Sequence, residues 1–339
     1  MKRLLFLALL LFNTVEASAE VLGIGATFPL PVMNAWLNEY SIKGNPTVVY
    51  KGLGSGEGIK RITANTIEFA ITDIPLTESE LNQANLLQLP LVASGILPVI
   101  NVPNLNKVSI KISGLVLADI FLGKISNWND PRIVEINPEI QLPNLAIKVI
   151  HREEASGTSF TFTNYLSKVS PVWEQTLGIG SRIIWPVGVG VRGNDGIAQK
   201  VSQTPGAIGY VEYSNAQKYG LGIVTLKNAD GQYVYPSITT FESAFKKAIW
   251  SRPNFYQMLT NQSGENSWPI IGVSYVLLQK NQNKSLDLEN TIRFIEWIYG
   301  QGNVKAWENS YLLVNQEPVI SRIRSELNLV NHNRAAGKK

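Results

Sequence analysis

A cation and a set of small hydroxyl and glycine residues follow one another closely at residues 151–160. Arg152 comes directly after an apolar run at residues 146–150 that is typical of a buried strand, and Ser156 to Thr158 open an amphipathic helix. Backbone N–H groups in the first turn of a helix have no intrahelical partner, and the helix dipole adds partial positive charge there. The stretch therefore predicts a site for an oxyanion, although a surface arginine before an ordinary capped helix has the same pattern.

Two further stretches place polar side chains between a strand and a helix. Ser55 lies among the alternating glycines of residues 52–58, where the backbone can approach a ligand closely. Thr27 follows a short predicted strand, and Asp73 ends another. Alternating strands and helices predict an open, mostly parallel sheet that binds ligands beyond the carboxyl ends of its strands.

Asp73 is the informative member of this set because it is a carboxylate among hydrogen-bond donors. In a site for a fully deprotonated anion such as sulfate, a buried aspartate is unpaired and repelled, at a cost of several kcal/mol. Phosphate keeps a proton near neutral pH, and Asp73 can accept the hydrogen bond of that proton. The alternative interpretation is a turn residue before Ile74 and Pro75.

A secreted phosphatase or esterase with Ser55 or Ser156 as its nucleophile is the main enzymatic alternative. Only His151 and His332 could serve as a histidine base, and their positions fit a strand end and a polar tail. Without cysteine and with two histidines, neither a metal site nor a cofactor is expected. Residues 188–193 match the spacing of a dinucleotide-binding fingerprint, but no clear strand precedes them, and a flexible loop is predicted.

The chain begins with the features of a secretory signal peptide. Two basic residues precede an apolar run at residues 4–12, and small residues follow, so cleavage is expected after Ala19. The remaining chain has 28 basic and 25 acidic side chains, and its net charge of +3 is too small to predict nucleic acid as a partner. These features predict a periplasmic monomer that folds without disulfides.

The pattern of the mature chain predicts two lobes. A long apolar run at residues 91–102 is a plausible crossing between them, and a strand at residues 275–278 leads back. With crossings near Leu97 and Gly272, the chain divides into a signal peptide at 1–19, lobe 1 at 20–97 plus 272–339, and lobe 2 at 98–271.

Three finer predictions concern helix ends. Thr239 and Glu242 have the spacing of a capping box, and Asn194 is expected to cap the helix that follows it. Gly300 is expected to stop a helix that starts at Leu286.

Several of these stretches, taken in order, resemble the periplasmic phosphate-binding proteins of phosphate ABC transporters. The matching stretches are GATFP at 25–29, GSG at 54–56, FAITDIP at 69–75, REEASGTSF at 152–160, GNDG at 193–196 and PGAIGYVEY at 205–213. The resemblance extends over about residues 21–324. It implies an α/β fold of the two-lobed, type II periplasmic binding class, in which each lobe is a mostly parallel sheet flanked by helices and the ligand lies in the interlobe cleft.

The resemblance also implies high-affinity binding of inorganic phosphate, without catalysis, and its delivery to a membrane-embedded ABC permease with a cytoplasmic ATPase. By motif match, it implies that the ion is bound by Thr27, Phe28, Ser55, Asp73, Arg152, Ser156, Gly157 and Thr158. Glu154 stands where the family tends to carry an aspartate, and Glu153 and Glu57 add acids nearby. A receptor for another oxyanion or for a phosphate ester is the alternative with the same fold.

Overall fold

The computed structural model describes residues 20–105, 109–280 and 288–336, so the predicted signal peptide lies outside it. The described strands are β1 (Val21–Gly25), β2 (Val48–Gly52), β3 (Phe69–Thr72), β4 (Leu86–Asn101), β5 (Lys111–Ile112), β6 (Lys148–Arg152), β7 (Val189–Val191), β8 (Ala207–Glu212), β9 (Gly222–Ile223), β10 (Thr225–Lys227), β11 (Tyr233–Val234), β12 (Leu259–Thr260), β13 (Ile270–Gln279) and β14 (Leu312–Leu313).

The described helices are α1 (Leu30–Ile42), α2 (Ser55–Thr63), α3 (Glu78–Gln83), α4 (Gly114–Phe121), α5 (Pro131–Val134), α6 (Gly157–Val169), α7 (Pro171–Thr176), α8 (Gly193–Ser202), α9 (Tyr213–Lys218), α10 (Ile238–Phe245), α11 (Leu288–Gln301), α12 (Asn303–Glu308) and α13 (Val319–Ala336). Across the described ranges, no helix combines the length and the apolar character that crossing a membrane requires.

One large sheet runs through the molecule in the strand order β2-β1-β3-β13-β4-β8-β6-β7. Each end of it is a parallel trio, with β1 between β2 and β3 and β6 between β7 and β8. The long strands β4 and β13 join the two trios and pair antiparallel with their neighbours. The predicted α/β class is therefore confirmed, but the two parallel sheets are joined into one.

The two long strands account for the predicted crossings. β4 pairs with β13 up to Gly95 and with β8 from Ile96 onwards, so its pairing changes close to Leu97. Gly272 lies within β13. The division of the chain into two lobes at these positions stays a prediction.

The carboxyl ends of the parallel strands lead into the helices that carry the predicted site. β2 leads into α2, β6 into α6 and β7 into α8, while Asp73 directly follows β3. Helix α1 packs against β2 and α12, and its buried face includes Trp36, whose indole N–H donates to the Gly302 carbonyl at 2.8 Å. This packing fixes the helix starts relative to the strand ends.

Several local predictions are wrong. Part of the glycine-rich stretch at 52–58 is helical, because α2 already begins at Ser55. Residues 189–191 form the edge strand β7 instead of a flexible loop, and the following helix has Arg192 as its N-cap in place of Asn194.

The predicted ends of two later helices are also wrong. Ser237 and Thr240 form the capping box of α10, two residues before the predicted pair. Helix α11 continues through Gly300 to Gln301, and the predicted start at Leu286 lies outside the described residues. Neighbouring motifs of similar composition compete for each helix end, and the packing of the helix selects one of them.

Candidate anion-binding site

The first turns of α2 and α6 meet at the centre of the molecule. A methyl group added to Gly157 would lie 2.5 Å from Asp73 Cβ and 2.6 Å from Ser55 Oγ. Beside this contact, the Gly56 N–H donates to the Ala155 carbonyl at 3.2 Å. The two parallel trios thus bring Ser55, Asp73 and Gly157 together.

Both helix starts present unpaired N–H groups. Ser156 is the N-cap of α6, and its hydroxyl accepts the Ser159 N–H at 3.2 Å. In the described part of the chain, nothing accepts from the N–H groups of Ser55, Gly157 and Thr158. Such groups at helix N-termini bind anions through hydrogen bonds and the helix dipole.

Asp73 is a buried carboxylate held in a fixed orientation. Its Oδ1 accepts the Ser274 hydroxyl at 2.6 Å, and its backbone N–H donates to Ser55 Oγ at 3.2 Å. Burial raises the pKa of Asp73 to about 7, and the Ser274 hydrogen bond and the Arg152 charge offset only part of that rise. Asp73 can therefore change its protonation state near neutral pH.

Arg152 is buried and bound to Glu154. The Arg152 Nε donates to Glu154 Oε1 at 2.9 Å, and Nη2 donates to the same oxygen and to Thr27 Oγ1 at 3.2 Å. Burial raises the pKa of the Glu154 carboxyl, but Arg152 and the backbone N–H groups of Glu154 and Gly193 together more than offset this effect, and the net shift is downward. The charge of Arg152 is thus paired, while its buried Nη1 has no partner within the described residues.

Asn194 connects both ends of the site. Its side-chain Nδ2 donates to Thr27 Oγ1 at 3.1 Å and to Thr158 Oγ1 at 3.3 Å. Its backbone N–H also donates to Thr27 Oγ1, at 3.3 Å. Asn194 therefore links the residue after β1 to the first turn of α6.

Phe28 contributes to this region through its backbone. Its ring is fully buried and packs edge-on against Tyr311 with 5.8 Å between ring centroids, and its carbonyl accepts the Tyr311 hydroxyl at 2.6 Å. Only the Phe28 N–H is left to contact a ligand beside Thr27.

Comparisons with known proteins identify the family of this chain. The family model described as the PBP superfamily domain matches residues 13–301. The phosphate-binding protein PstS of Pasteurella multocida is 41% identical over 329 residues, covering 96% of this chain and 95% of its own. That of Haemophilus influenzae is 41% identical over 308 residues, covering 91% and 92%. The chain belongs to the PstS family within the PBP superfamily.

Solved structures support the same fold. A DING protein matches with a TM-score of 0.70 at 17% identity, covering 90% of this chain and 93% of its own. A putative phosphate ABC transporter substrate-binding protein with bound phosphate, from Clostridium perfringens, matches with a TM-score of 0.64 at 19% identity, covering 87% and 100%. These likenesses confirm the predicted fold class.

All of the positions that the PstS resemblance implies lie in this region. Ser55, Asp73 and Gly157 are in mutual contact, and Asn194 bridges Thr27 and Thr158. Arg152 contacts Thr27, and Phe28 and Ser156 adjoin these residues in the chain. The eight residues predicted to bind the ion do not include Asn194, which the sequence predicts only as a helix cap, or Ser274. The strand order indicates a ligand-binding position at Asn194. This residue follows the edge strand β7, just as Ser55 follows the edge strand β2 of the other trio.

Proposed function

We propose that this protein is a periplasmic receptor that binds inorganic phosphate and delivers it to a membrane-embedded ABC permease with a cytoplasmic ATPase. It acts as a monomer and catalyses no reaction. The observation that carries the proposal is Asp73, a buried carboxylate packed so closely against the first turn of α6 that a methyl group added to Gly157 would lie 2.8 Å from its Oδ2. The relatives named as phosphate-binding proteins support the same ligand.

Phosphate is bound by the eight positions predicted from the sequence. The N–H groups of Phe28, Ser55, Gly157 and Thr158 and the hydroxyl groups of the site donate to its oxygens. Arg152 contributes its unpaired Nη1 as a further hydrogen-bond donor to phosphate. The charge of Arg152 is neutralised by Glu154 and therefore contributes little to affinity. The donors carry partial charges instead of full charges. They therefore compensate the charge of bound phosphate without attracting polyanions unselectively.

Asp73 supplies the specificity. An ionised carboxylate accepts the proton of bound phosphate, but it repels a sulfate that has no proton to offer. A site built around one hydrogen bond rejects an analogue that lacks it by roughly 10⁴-fold or more.

A hydrolase is less compatible with the geometry. The Nδ1 of His151 lies 3.1 Å from the Arg152 carbonyl, and its ring stacks on Trp185 with 5.0 Å between centroids. His151 contacts neither the hydroxyl of Ser55 nor that of Ser156. A serine nucleophile in this site therefore does not have His151 as its base.

The size of the enclosed region favours a small ion over a phosphate ester. Ser55, Asp73, Arg152 and Thr158 are each at most 3% exposed. Two grooves of about 690 Å³ each flank the contact between Thr27 and the start of α8, and both open beyond the buried residues. Phosphate enters when the lobes open about the crossings in β4 and β13.

Calorimetric titration of the purified protein with phosphate and with sulfate tests this proposal. We expect tight phosphate binding and, at pH 9, sulfate binding weaker by roughly 100-fold or more. Comparable affinities contradict the role of Asp73, and hydrolysis of a chromogenic phosphate ester contradicts the absence of catalysis. Competition by glycerol phosphate at equal strength favours the ester receptor.

The raised pKa of Asp73 predicts a pH dependence that differs between the two anions. Below its pKa of about 7, Asp73 is protonated and can donate to sulfate; above it, the carboxylate repels sulfate. Sulfate affinity should therefore fall about tenfold per pH unit above that pKa. Phosphate keeps a proton at these pH values, so its affinity should stay nearly constant.

Calorimetry at several pH values between 5.5 and 9 measures this difference. The same titrations on Asp73→Asn provide the control, because the amide does not titrate and sulfate affinity should no longer depend on pH. A flat sulfate profile for the unmodified protein contradicts the prediction.

A further inference from the structure

We propose that Asn194 is a positioning residue that fixes the direction of two ligand-binding hydroxyl groups, those of Thr27 and Thr158. The inference rests on the phosphate-receptor function proposed above and assigns a role to a residue that is not among the eight expected to bind the ion. Asn194 is 1% exposed, so water does not compete for its side-chain amide.

A single contact fixes which way the amide of Asn194 faces. Its side-chain oxygen, Oδ1, lies 3.1 Å from the backbone N–H of Glu212. A backbone N–H can only donate, so the atom that faces it must be an acceptor. The amide nitrogen consequently faces the other way, towards Thr27 and Thr158, with one hydrogen for each hydroxyl oxygen.

This arrangement leaves both hydroxyl protons for a ligand. A hydroxyl group has one proton to donate and two lone pairs to accept with. Thr27 Oγ1 faces three donors, Asn194 Nδ2, the Asn194 backbone N–H and Arg152 Nη2, which share its two lone pairs and cannot accept its proton. Within the described residues, neither threonine hydroxyl donates to a protein acceptor. Both protons are therefore available to an anion.

The chemical consequence is a division of roles around the ligand. The two threonine hydroxyls are held as donors, and Asp73 is the carboxylate that accepts. With a carboxylate at position 194, the two threonine hydroxyls would no longer donate to the ligand, because each would turn its proton towards the new acceptor. Asn194 thus favours an anion rich in acceptors, as phosphate is.

Asn194 also couples ligand binding to closure of the cleft. Thr158 and Glu212 belong to the same half of the sheet as Asn194, whereas Thr27 is 167 residues away and follows β1. The contacts with Thr158 and Glu212 orient the amide before the halves approach. The contacts with Thr27 then form on closure and slow the release of phosphate.

Phosphate titration of Asn194→Ala tests the inference. We expect affinity to fall roughly 10- to 100-fold, because two hydroxyl groups lose their fixed direction. Asn194→Asp has the same shape and should lose more, since it draws both hydroxyl protons away from the ligand. The control is Asn164→Ala, which removes a buried asparagine of α6 that hydrogen-bonds Thr260 away from the site and should leave affinity unchanged.

A double-substituted background separates positioning from a general structural role. In a protein carrying Thr27→Val and Thr158→Val, the further change Asn194→Ala should reduce affinity less than about threefold, because the groups through which it acts are gone. The same loss in both backgrounds overturns the inference. Unchanged phosphate affinity of Asn194→Ala also overturns the inference. If the alanine variant does not fold, unchanged affinity of Asn194→Asp overturns it. If the unmodified protein does not bind phosphate, the proposed function itself is wrong, and the two failures are thus distinguishable.

Discussion

Replacing Gly157 with alanine is expected to weaken phosphate binding by roughly 100-fold or more. The added methyl group would lie 2.5 Å from Asp73 Cβ, 2.6 Å from Ser55 Oγ and 2.8 Å from Asp73 Oδ2. All three atoms belong to Ser55 and Asp73, which are held in place by their mutual hydrogen bond and by the hydrogen bond of Ser274 to Asp73. The start of α6 would have to move away from the ends of β2 and β3, and the donors would no longer converge on one ion.

The effect of Gly157→Ala should appear in binding and not in folding. Gly157 is the first residue of α6, where alanine is compatible with the helix, and the clash is with the other half of the sheet. We therefore expect an unfolding midpoint close to that of the unmodified protein in the absence of phosphate. Small-angle scattering should show compaction on adding phosphate for the unmodified protein and none for the variant.

Gly300→Ala is the matched control for this experiment. Gly300 lies in α11, and an added methyl group there would have no atom within 4 Å. It should leave phosphate affinity unchanged and stabilise the helix slightly, by up to about 1 kcal/mol. Normal affinity and normal compaction in Gly157→Ala would show that the two helix starts are not in contact around the ligand.

Asp73→Asn is expected to reduce the preference for phosphate over sulfate by about tenfold at pH 8 and by about 100-fold at pH 9, because the carboxyl of Asp73 is increasingly ionised above its pKa of about 7. The amide has nearly the same shape, but it carries no charge and can donate as well as accept. Sulfate should gain most of the difference because the repulsion disappears, whereas phosphate should lose the acceptor of its proton. Competition calorimetry with both anions at pH 8 and at pH 9 measures the two affinities separately.

A carboxylate outside the buried region provides the comparison for Asp73→Asn. Asp195 lines one of the grooves and forms an exposed ion pair with Lys218, with 2.6 Å between the charged atoms. Asp195→Asn removes the same charge near the cleft but touches no group proposed to bind the ion. It should leave the discrimination intact, and a similar loss in both variants would assign the selectivity to the overall electric field instead of to Asp73.

The pairing of Arg152 with Glu154 reduces the contribution of the arginine charge to anion binding in this site. Arg152 stood out in the sequence as the cation of an oxyanion site, and its partner as a departure from the family pattern. In the structure, Glu154 Oε1 binds the guanidinium and also accepts the Gly193 N–H at 3.1 Å. The carboxylate thereby holds Arg152 next to the start of α8, which makes it a structural part of the site.

The sequence by itself determined the local structure and the chemical character of the site. The alternation of strands and helices follows from residues only a few positions apart, and the structure has it. The same holds for the oxyanion signals at Ser55, Asp73 and Arg152, since a strand end followed by a helix start is a local pattern. Such patterns depend on backbone geometry and neighbouring side chains, which a short stretch contains in full.

Only the tertiary structure decided which of these groups meet and in what orientation. Asn194 and Thr27 are 167 residues apart, and Ser274 and Asp73 are 201 residues apart, so no local pattern connects them. Their contacts arise because β4 and β13 join two parallel trios whose carboxyl ends face each other. The choice among competing helix caps and the direction of the Asn194 amide likewise depend on packing, where distant residues supply the partners.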